Sequence, residues 1–438
     1  MGNPRFRLHP TTLNPPELTS DDDDAAAEYP PWVLLESDAY VAKRENSTTA
    51  FSKTWDNKDI QILAIKEHII VLRITVSCQK DFMENIDYYV YQAADGAAGW
   101  KPSLTLLERP PGPYNSFYPE QTGVVLYETT SHKQPGFYMR PHSHGERSYL
   151  IAALKALHWE VHKDFPPGTF MLCLYNSEKG SWSFSTVFLN QQQVNQYKSS
   201  FEHTSSMVVT IGGDTHTVGF VDLRRGILFC DLPVIGEVIP PLRYLELPSP
   251  KNLPSDEARL ARDIVVVKDQ LKFVELQVHW KKSIMCKGQW YEDGWVAATW
   301  TRPANCFTGS WCKEQVVDTK TMNFKDNPYL KLLPKVRNDE DMVLPPFKRI
   351  SVCQPIFGDD SILYLMAKFR RQDDNGWIVA VDMNSKSLIG VAPSIVAINR
   401  LIPFSYTHSR VSQYLPKTAP GACPLGHLKR LRGVTSIH

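Results

Sequence analysis

The stretch whose reading decides the fold is Val218–Pro250, VGFVDLRRGILFCDLPVIGEVIPPLRYLELPSP. Val218 to Val221 are strand formers, Asp222 to Gly226 supply a polar turn, and Ile227 to Cys230 return as a buried strand. A proline-punctuated strand follows and ends on the Leu247-Pro248 step. Outward from this hairpin the chain is mostly short strands: Ile60–Ile65, Ile69–Val76, Tyr88–Gln92, Leu104–Leu107 and Val124–Tyr127. Aromatic and β-branched residues concentrate in them, with Gly, Pro, Asn and Asp between. One segment dissents. Glu146–Lys163 places Leu150, Leu154, Leu157 and Val161 at helical spacing and predicts a helical insertion.

Four hairpins share one plan: Gln92 with Trp100, Asn176 with Trp182, Asp222 with Ile227, and Asp382 with Leu388. A polar residue opens each turn, and Asn or Asp suits that place because its side chain bonds the backbone two residues on. The polar turn residues are separated by 84, 46 and 160 positions. Those are close to whole steps of about 45–50 residues, the period of a propeller blade. The expectation is an all-β fold, a β-propeller-like array of about six or seven four-stranded blades. It would span residues 31–415, after a disordered segment over 1–30 and before a C-terminal tail over 416–438. Residues 1–30 are polar and Pro-rich with an acidic run, Asp21–Asp24, which gives them too little to bury.

Composition narrows the function. Forty-eight basic against 47 acidic side chains give a formal charge of +1, without the basic excess that phosphate neutralisation demands. The local basic cluster, Lys429, Arg430 and Arg432, reads as a solvated tail, so nucleic acid is not expected as a partner. The eight cysteines include no CxxC pair, which fits a reducing compartment. The N-terminal residues form no apolar core of a secretory signal, and no apolar run has the length of a membrane span. The expected location is cytoplasmic or nuclear, with no membrane contact.

Chemistry-bearing constellations are sparse. His132, His142, His144, His158 and His162 lie near Glu146 and Glu160, and His142, His144, His158 and His162 could offer four imidazoles to a metal. That set carries the alternative reading, a metal-dependent enzyme or binder, but its spacing matches no established ligand pattern. Cys286, Cys306 and Cys312 are a weaker set. No GxSxG, HExxH, SxxK or kinase pattern occurs, and Gly212-Gly213-Asp214 is a hairpin turn rather than a phosphate loop. No catalytic, cofactor-binding or metal residue is therefore assigned, no cofactor is expected, and the leading expectation is not an enzyme. Eleven tryptophans and 18 tyrosines suit either blade cores or a protein-binding surface. Trp290, Tyr291, Trp295, Trp300 and Trp311 crowd around Gly294 as the candidate aromatic surface.

The segment quoted first resembles the core of a large grass family known only as domain of unknown function 1618. Trp32–Glu36, Arg262–Val267 with Leu271–Leu276, Trp295–Trp300, Ser361–Lys368 and Trp377–Met383 continue the likeness, which runs from about Trp32 to Val391. Arg224 stands where the family's tryptophan is expected before the Arg-Gly step, so this chain either exposes that place or stacks a guanidinium there. Family members look like relatives of the β-propeller modules that follow F-boxes in plant ubiquitin-ligase receptors, and no F-box helix set precedes Trp32. The resemblance implies a recognition module that binds a protein partner, serving plant defence, stress or reproductive incompatibility. The family carries no agreed catalytic residues, so it transfers no site.

Overall fold

The computed structural model describes residues 33–36, 59–76, 85–93, 101–111, 116–127, 148–157, 165–166, 168–197, 201–212, 216–233, 238–249, 255–282, 290–306, 309–324, 327–333, 336–337, 343–344, 350–358, 361–368, 375–395, 406–409, 411–414 and 430–431. They fall into two compact units. One comprises Met1–Tyr40, Lys251–His408 and Gly421–Gly433; the other comprises Val41–Pro250, Ser409–Pro420 and Val434–His438. The first described element is strand β1 (Val33–Glu36), in the first unit.

The second unit holds three four-stranded blades, each an antiparallel meander in sequence order. They are β2 (Asp59–Lys66), β3 (Ile69–Val76), β4 (Asn85–Gln92) and β5 (Ser103–Leu106); β6 (Thr122–Tyr127), β7 (Ser148–Ala156), β8 (Thr169–Asn176) and β9 (Ser181–Phe188); and β10 (Met207–Gly212), β11 (Thr217–Asp222), β12 (Gly226–Asp231) and β13 (Arg243–Glu246). The middle blade is apolar on both faces. Ile151, Ala153 and Cys173 pack towards Val71, Tyr88 and Val90 of the first blade. Leu150, Ala152, Leu154 and Leu172 pack towards Val218, Phe220 and Leu228 of the third. Period-2 alternation thus feeds two cores from one sheet, which is how neighbouring blades bury what a single blade cannot. Gly123 on β6 permits the close approach: a Cβ there would stand 2.6 Å from Val208 Cγ1 on β10.

The first unit holds two further blades, β14 (Arg262–Val267), β15 (Gln270–Lys282), β16 (Trp290–Pro303) and β17 (Cys312–Asp318), then β20 (Ser351–Phe357), β21 (Ile362–Lys368), β22 (Asn375–Asp382) and β23 (Ser387–Ile395). Between them in sequence lies a small hairpin, β18 (Val336–Arg337) and β19 (Val343–Leu344). Val274, Leu276, Trp295 and Ala297 of one blade and Leu363, Leu365, Val379 and Val381 of the other form a shared core. A three-stranded sheet, β24 (Tyr406–Ser409), β1 and β25 (Arg430–Leu431), completes the unit, with β1 parallel to β25.

The fold is all-β and propeller-like, but the described residues contain five four-stranded blades, not six or seven. The count inferred from turn spacing fails for a physical reason. Asn176 and Asp382 open the turn between the third and fourth strands of their blades, whereas Asp222 opens the turn between the second and third. Their separations therefore mix two kinds of turn. Successive blades actually open at residues 59, 122, 207, 262 and 351, because long connections separate many of the strands. The turn chemistry itself is as expected: Asn176, Asp222 and Asp382 each accept a backbone N–H from two residues on.

The helical insertion is also corrected. Ser148–Ala156 is strand β7, between β6 and β8. Leu150 and Leu154 are four apart, which puts them on one face of a helix and equally on one face of a strand. Seven-residue helices occur elsewhere, α1 (Gln191–Tyr197) and α2 (Ser255–Ala261). Asn190 caps α1 by accepting from Gln192 N and Gln193 N. Gln193 then bonds Tyr244 N and Tyr244 O of β13 through its side-chain amide at 2.8 and 2.6 Å. A helix side chain thereby occupies the outer edge of the third blade, a position that would otherwise invite strand addition. The expected disorder over residues 1–30 lies outside the described residues.

Candidate recognition site

The β11–β12 hairpin builds the most concentrated polar centre of the segment read first. All of β11 is buried, and its last residue, Asp222, pairs with Gly226 to close the turn. The Asp222 side chain is wholly buried, so its charge needs local partners. Oδ1 accepts from Arg224 N at 2.9 Å and Arg224 Nε at 3.2 Å. Oδ2 accepts from Thr204 N at 3.1 Å, and Arg224 and Arg225 guanidinium nitrogens each approach it at 3.4 Å. Burial works to raise the Asp222 pKa, but the Arg224 hydrogen bonds, the neighbouring His203 and the backbone donors outweigh it and hold it below the usual value.

The turn is fixed on both sides. Arg225 Nη2 donates to Glu202 Oε2 at 2.6 Å, Leu223 N donates to Ser206 Oγ, and Leu247 N donates to Arg225 O. A Cβ on Gly226 would collide with the Tyr244 ring and with Leu245 O, so the β12–β13 crossing depends on glycine there. The Arg224 guanidinium folds back onto Asp222, and the Arg224 side chain is 16 % exposed.

His203 lies behind this turn, with Phe170 and Tyr244 edge-on to its ring. Burial, helped by the Arg224 and Arg225 charges and opposed by Asp222, pushes its pKa down to about 4. The imidazole is therefore neutral near pH 7. Nε2 lies 3.3 Å from Ser205 Oγ, while buried Nδ1 has no hydrogen-bond partner. This is not the geometry of a hydrolytic triad, because the nearby carboxylate is engaged by arginines and does not hold Nδ1. The arrangement pins a charged turn, with the Arg225–Glu202 pair at its surface.

The tryptophans expected to crowd one surface separate. Trp295 is 1 % exposed and belongs to the core of the first unit. Trp300 and Trp311 flank Phe273 at 5.6 and 6.2 Å, with Lys313 over Trp300 and Arg302 over Trp311. On the same sheet face Arg262 sits over Phe273 and bonds Glu275 at 2.5 Å, a buried ion pair. The side chains of Trp290 and Tyr291 lie outside the described residues. Among the described residues the exposed tryptophan is instead Trp280, at 51 %, which sequence reasoning passed over although Lys281 and Lys282 follow it.

The remaining candidates sit as follows. His132, His142, His144, His158 and His162 lie outside the described residues, and among the described residues no group of three or more metal-ligating side chains assembles. Cys173 and Cys230 are buried, and burial pushes both thiols up to about 12, so neither is nucleophilic near neutrality. Cys306 is half-buried, Cys312 is exposed, and Cys286 lies outside the described residues. Of the basic tail cluster, Arg430 lies in β25 paired with Leu34, and Lys429 and Arg432 lie outside the described residues. Among the described residues no helix is long and apolar enough to cross a membrane.

Residues 220–364, from inside β11 to the first residues of β21, match the model of a family described as a protein of unknown function, DUF1618. The match begins at the buried hairpin and takes in the whole β14–β17 blade, in agreement with the resemblance read from those strands. No curated protein matches the chain. Among solved structures, the tail fiber of Staphylococcus aureus phage P68 aligns at 10 % identity, over 76 % of this chain and 63 % of that one. Its TM-score is 0.12, too low to speak for a shared fold.

Proposed function

We propose that the protein, whose residues 220–364 match the DUF1618 model, is a non-enzymatic recognition module whose partner is another protein. The observation carrying this reading is the blade architecture: stacked four-stranded sheets that spend their faces on one another and leave rims and connections as working surface. Large apolar side chains lie exposed on such places, Leu106, Phe188 and Val316 on outermost strands and Val238 between β12 and β13. The central ionisable groups support the same reading, since Asp222 and Glu275 are each neutralised inside their own blade. On the family resemblance, the module works in the cytoplasm or nucleus of a plant, in defence, stress or reproductive incompatibility.

Affinity capture with crosslinking, followed by reconstitution from purified components, tests the proposal. The expected result is a saturable complex whose protected peptides fall on strand connections and outermost strands. A clean monomer that forms no stable complex in any tissue extract overturns it.

A further inference from the structure

The β14–β17 blade buries two arginines and pairs one of them with a carboxylate. Arg262 is 1 % exposed and bonds Glu275 Oε2 at 2.5 Å. Arg302, in β16, is 3 % exposed and has no such partner: the ion pairs described in this blade are Arg262–Glu275 and His279–Asp318. Its Nη2 donates to Cys306 O, a neutral acceptor, and its guanidinium lies 5.5 Å from the centre of the Trp311 ring. Its Nε is buried with no hydrogen-bond partner.

A guanidinium keeps its charge at any ordinary pH, and a buried charge without a counter-charge is unfavourable. A carbonyl and a ring face offset part of that penalty, but neither carries a full negative charge. Burial accordingly pulls the Arg302 pKa below its ordinary value, opposed by Cys306. The surroundings add positive charge. Trp300 stands opposite Lys313 on β17, and Arg302 follows Trp300 by two positions, so Arg302 and Lys313 share one face of the sheet. Lys313 is exposed, with its ammonium over the Trp300 ring. The connection after β16 is fixed in place, since Ala304 N donates to Asp269 O at 2.8 Å and the Cys306 carbonyl is held by Arg302 itself. Cys306 is half-buried and Asn305 before it is exposed, so the guanidinium lies near solvent.

We propose that Arg302 anchors a small oxyanion, a phosphate or carboxylate group, on this face of the blade. The anion accepts from the unpartnered Nε–H, and the planar fork of donors matches two oxygens of one group. The Trp311 ring forms the apolar side of the site, and Lys313 adds longer-range attraction. The size of the ligand follows from burial. A guanidinium 3 % exposed admits one small charged group, whereas a polyanion backbone needs a row of exposed bases for its successive phosphates. A fixed connection around the guanidinium lowers the ordering cost of binding. The site makes no use of the protein-recognition reading, and either can fail without the other.

Isothermal titration of the full chain with inorganic phosphate and, separately, with acetate tests it, at an ionic strength held constant with chloride. Saturable binding of at least one of the two anions is expected, and their relative affinities tell a phosphate site from a carboxylate site. Affinity should fall about tenfold or more in Arg302→Met, and severalfold in Arg302→Lys, which keeps the charge and loses the fork. The surface variant Lys313→Met should weaken binding to a smaller extent, more so at low salt. Circular dichroism and thermal unfolding check each fold, and Arg302→Lys decides the matter should Arg302→Met fail to fold. Two results overturn the proposal: neither anion binds saturably, or binding is indifferent to substitution of Arg302.

Discussion

One buried and one half-buried ionisable residue, His203 and Asp263, set opposite pH responses, and substitution separates them. His203 titrates at about 4 in the fold against an ordinary value of 6.5, so the folded state takes up its proton later than the unfolded chain does. Its contribution is fully present above the unfolded value and is lost as pH falls from about 6.5 through 4, amounting to about 3 kcal/mol. Asp263 behaves in reverse. Burial raises it to about 6, against hydrogen bonds from Phe357 N and Ile264 N and the Arg259 charge. Its contribution is therefore present below the ordinary carboxylate value and is lost as pH rises through about 6. Urea unfolding between pH 4 and 7 should show His203→Gln flattening the acid-side loss, and Asp263→Asn gaining stability towards neutrality. Identical pH profiles for the parent and both variants would refute these assignments. Gly226→Ala should destabilise by about 1–3 kcal/mol, because backbone Leu245 O has to move; a neutral result would show that β13 yields freely.

At the scale of elements, edge protection and core sharing decide what each strand can tolerate. Gln193 of α1 holds both backbone polar groups of Tyr244, so Gln193→Ala should cost about 1–3 kcal/mol and expose the β13 edge. Lower urea midpoint together with concentration-dependent light scattering is the expected pair of readings; an unchanged midpoint with no self-association refutes it. Much at this scale was legible in the sequence. Ile69–Val76 and Val124–Tyr127 declare themselves through β-branched residues between turn formers, and β3 and β6 lie there. Asx turns at Asn176, Asp222 and Asp382 were legible because their chemistry is local. β7 was not, because a strand buried on both faces loses the polar alternation that tells it from a helix. The extension of β15 and β16 past β14 and β17 was hidden for a different reason: LQVHWKK reads as an ordinary strand until the lengths of β14 and β17 are known. Composition announced the aromatic residues but not their exposure; which indole faces solvent depends on sheet register, and Trp295 and Trp280 fall on opposite outcomes.

At the scale of the whole molecule, blade number depends on long connections, which local patterns do not report. Turn spacing supplied a propeller-like plan and overestimated its blades, since equal-looking turns occupied unequal places in them. The two compact units make a further prediction. Leu172 and Leu365 are each wholly buried, in the second and the first unit. Either substitution to alanine should cost about 2–5 kcal/mol. Hydrogen exchange should rise first in the unit that carries the substitution, with Leu172→Ala loosening β6–β13 before β14–β23. A uniform rise across both would mean that they open as one cooperative body.

The parallel pairing of β1 with β25 bears on the order of assembly. Leu34 meets Arg430 across nearly 400 positions of intervening chain, and every strand of the second unit is encoded between them. During synthesis the amino-terminal strand therefore waits, its partner still unmade, while three blades of the other unit emerge from the ribosome and can close. The last contact to form is the one that β1 has been holding open.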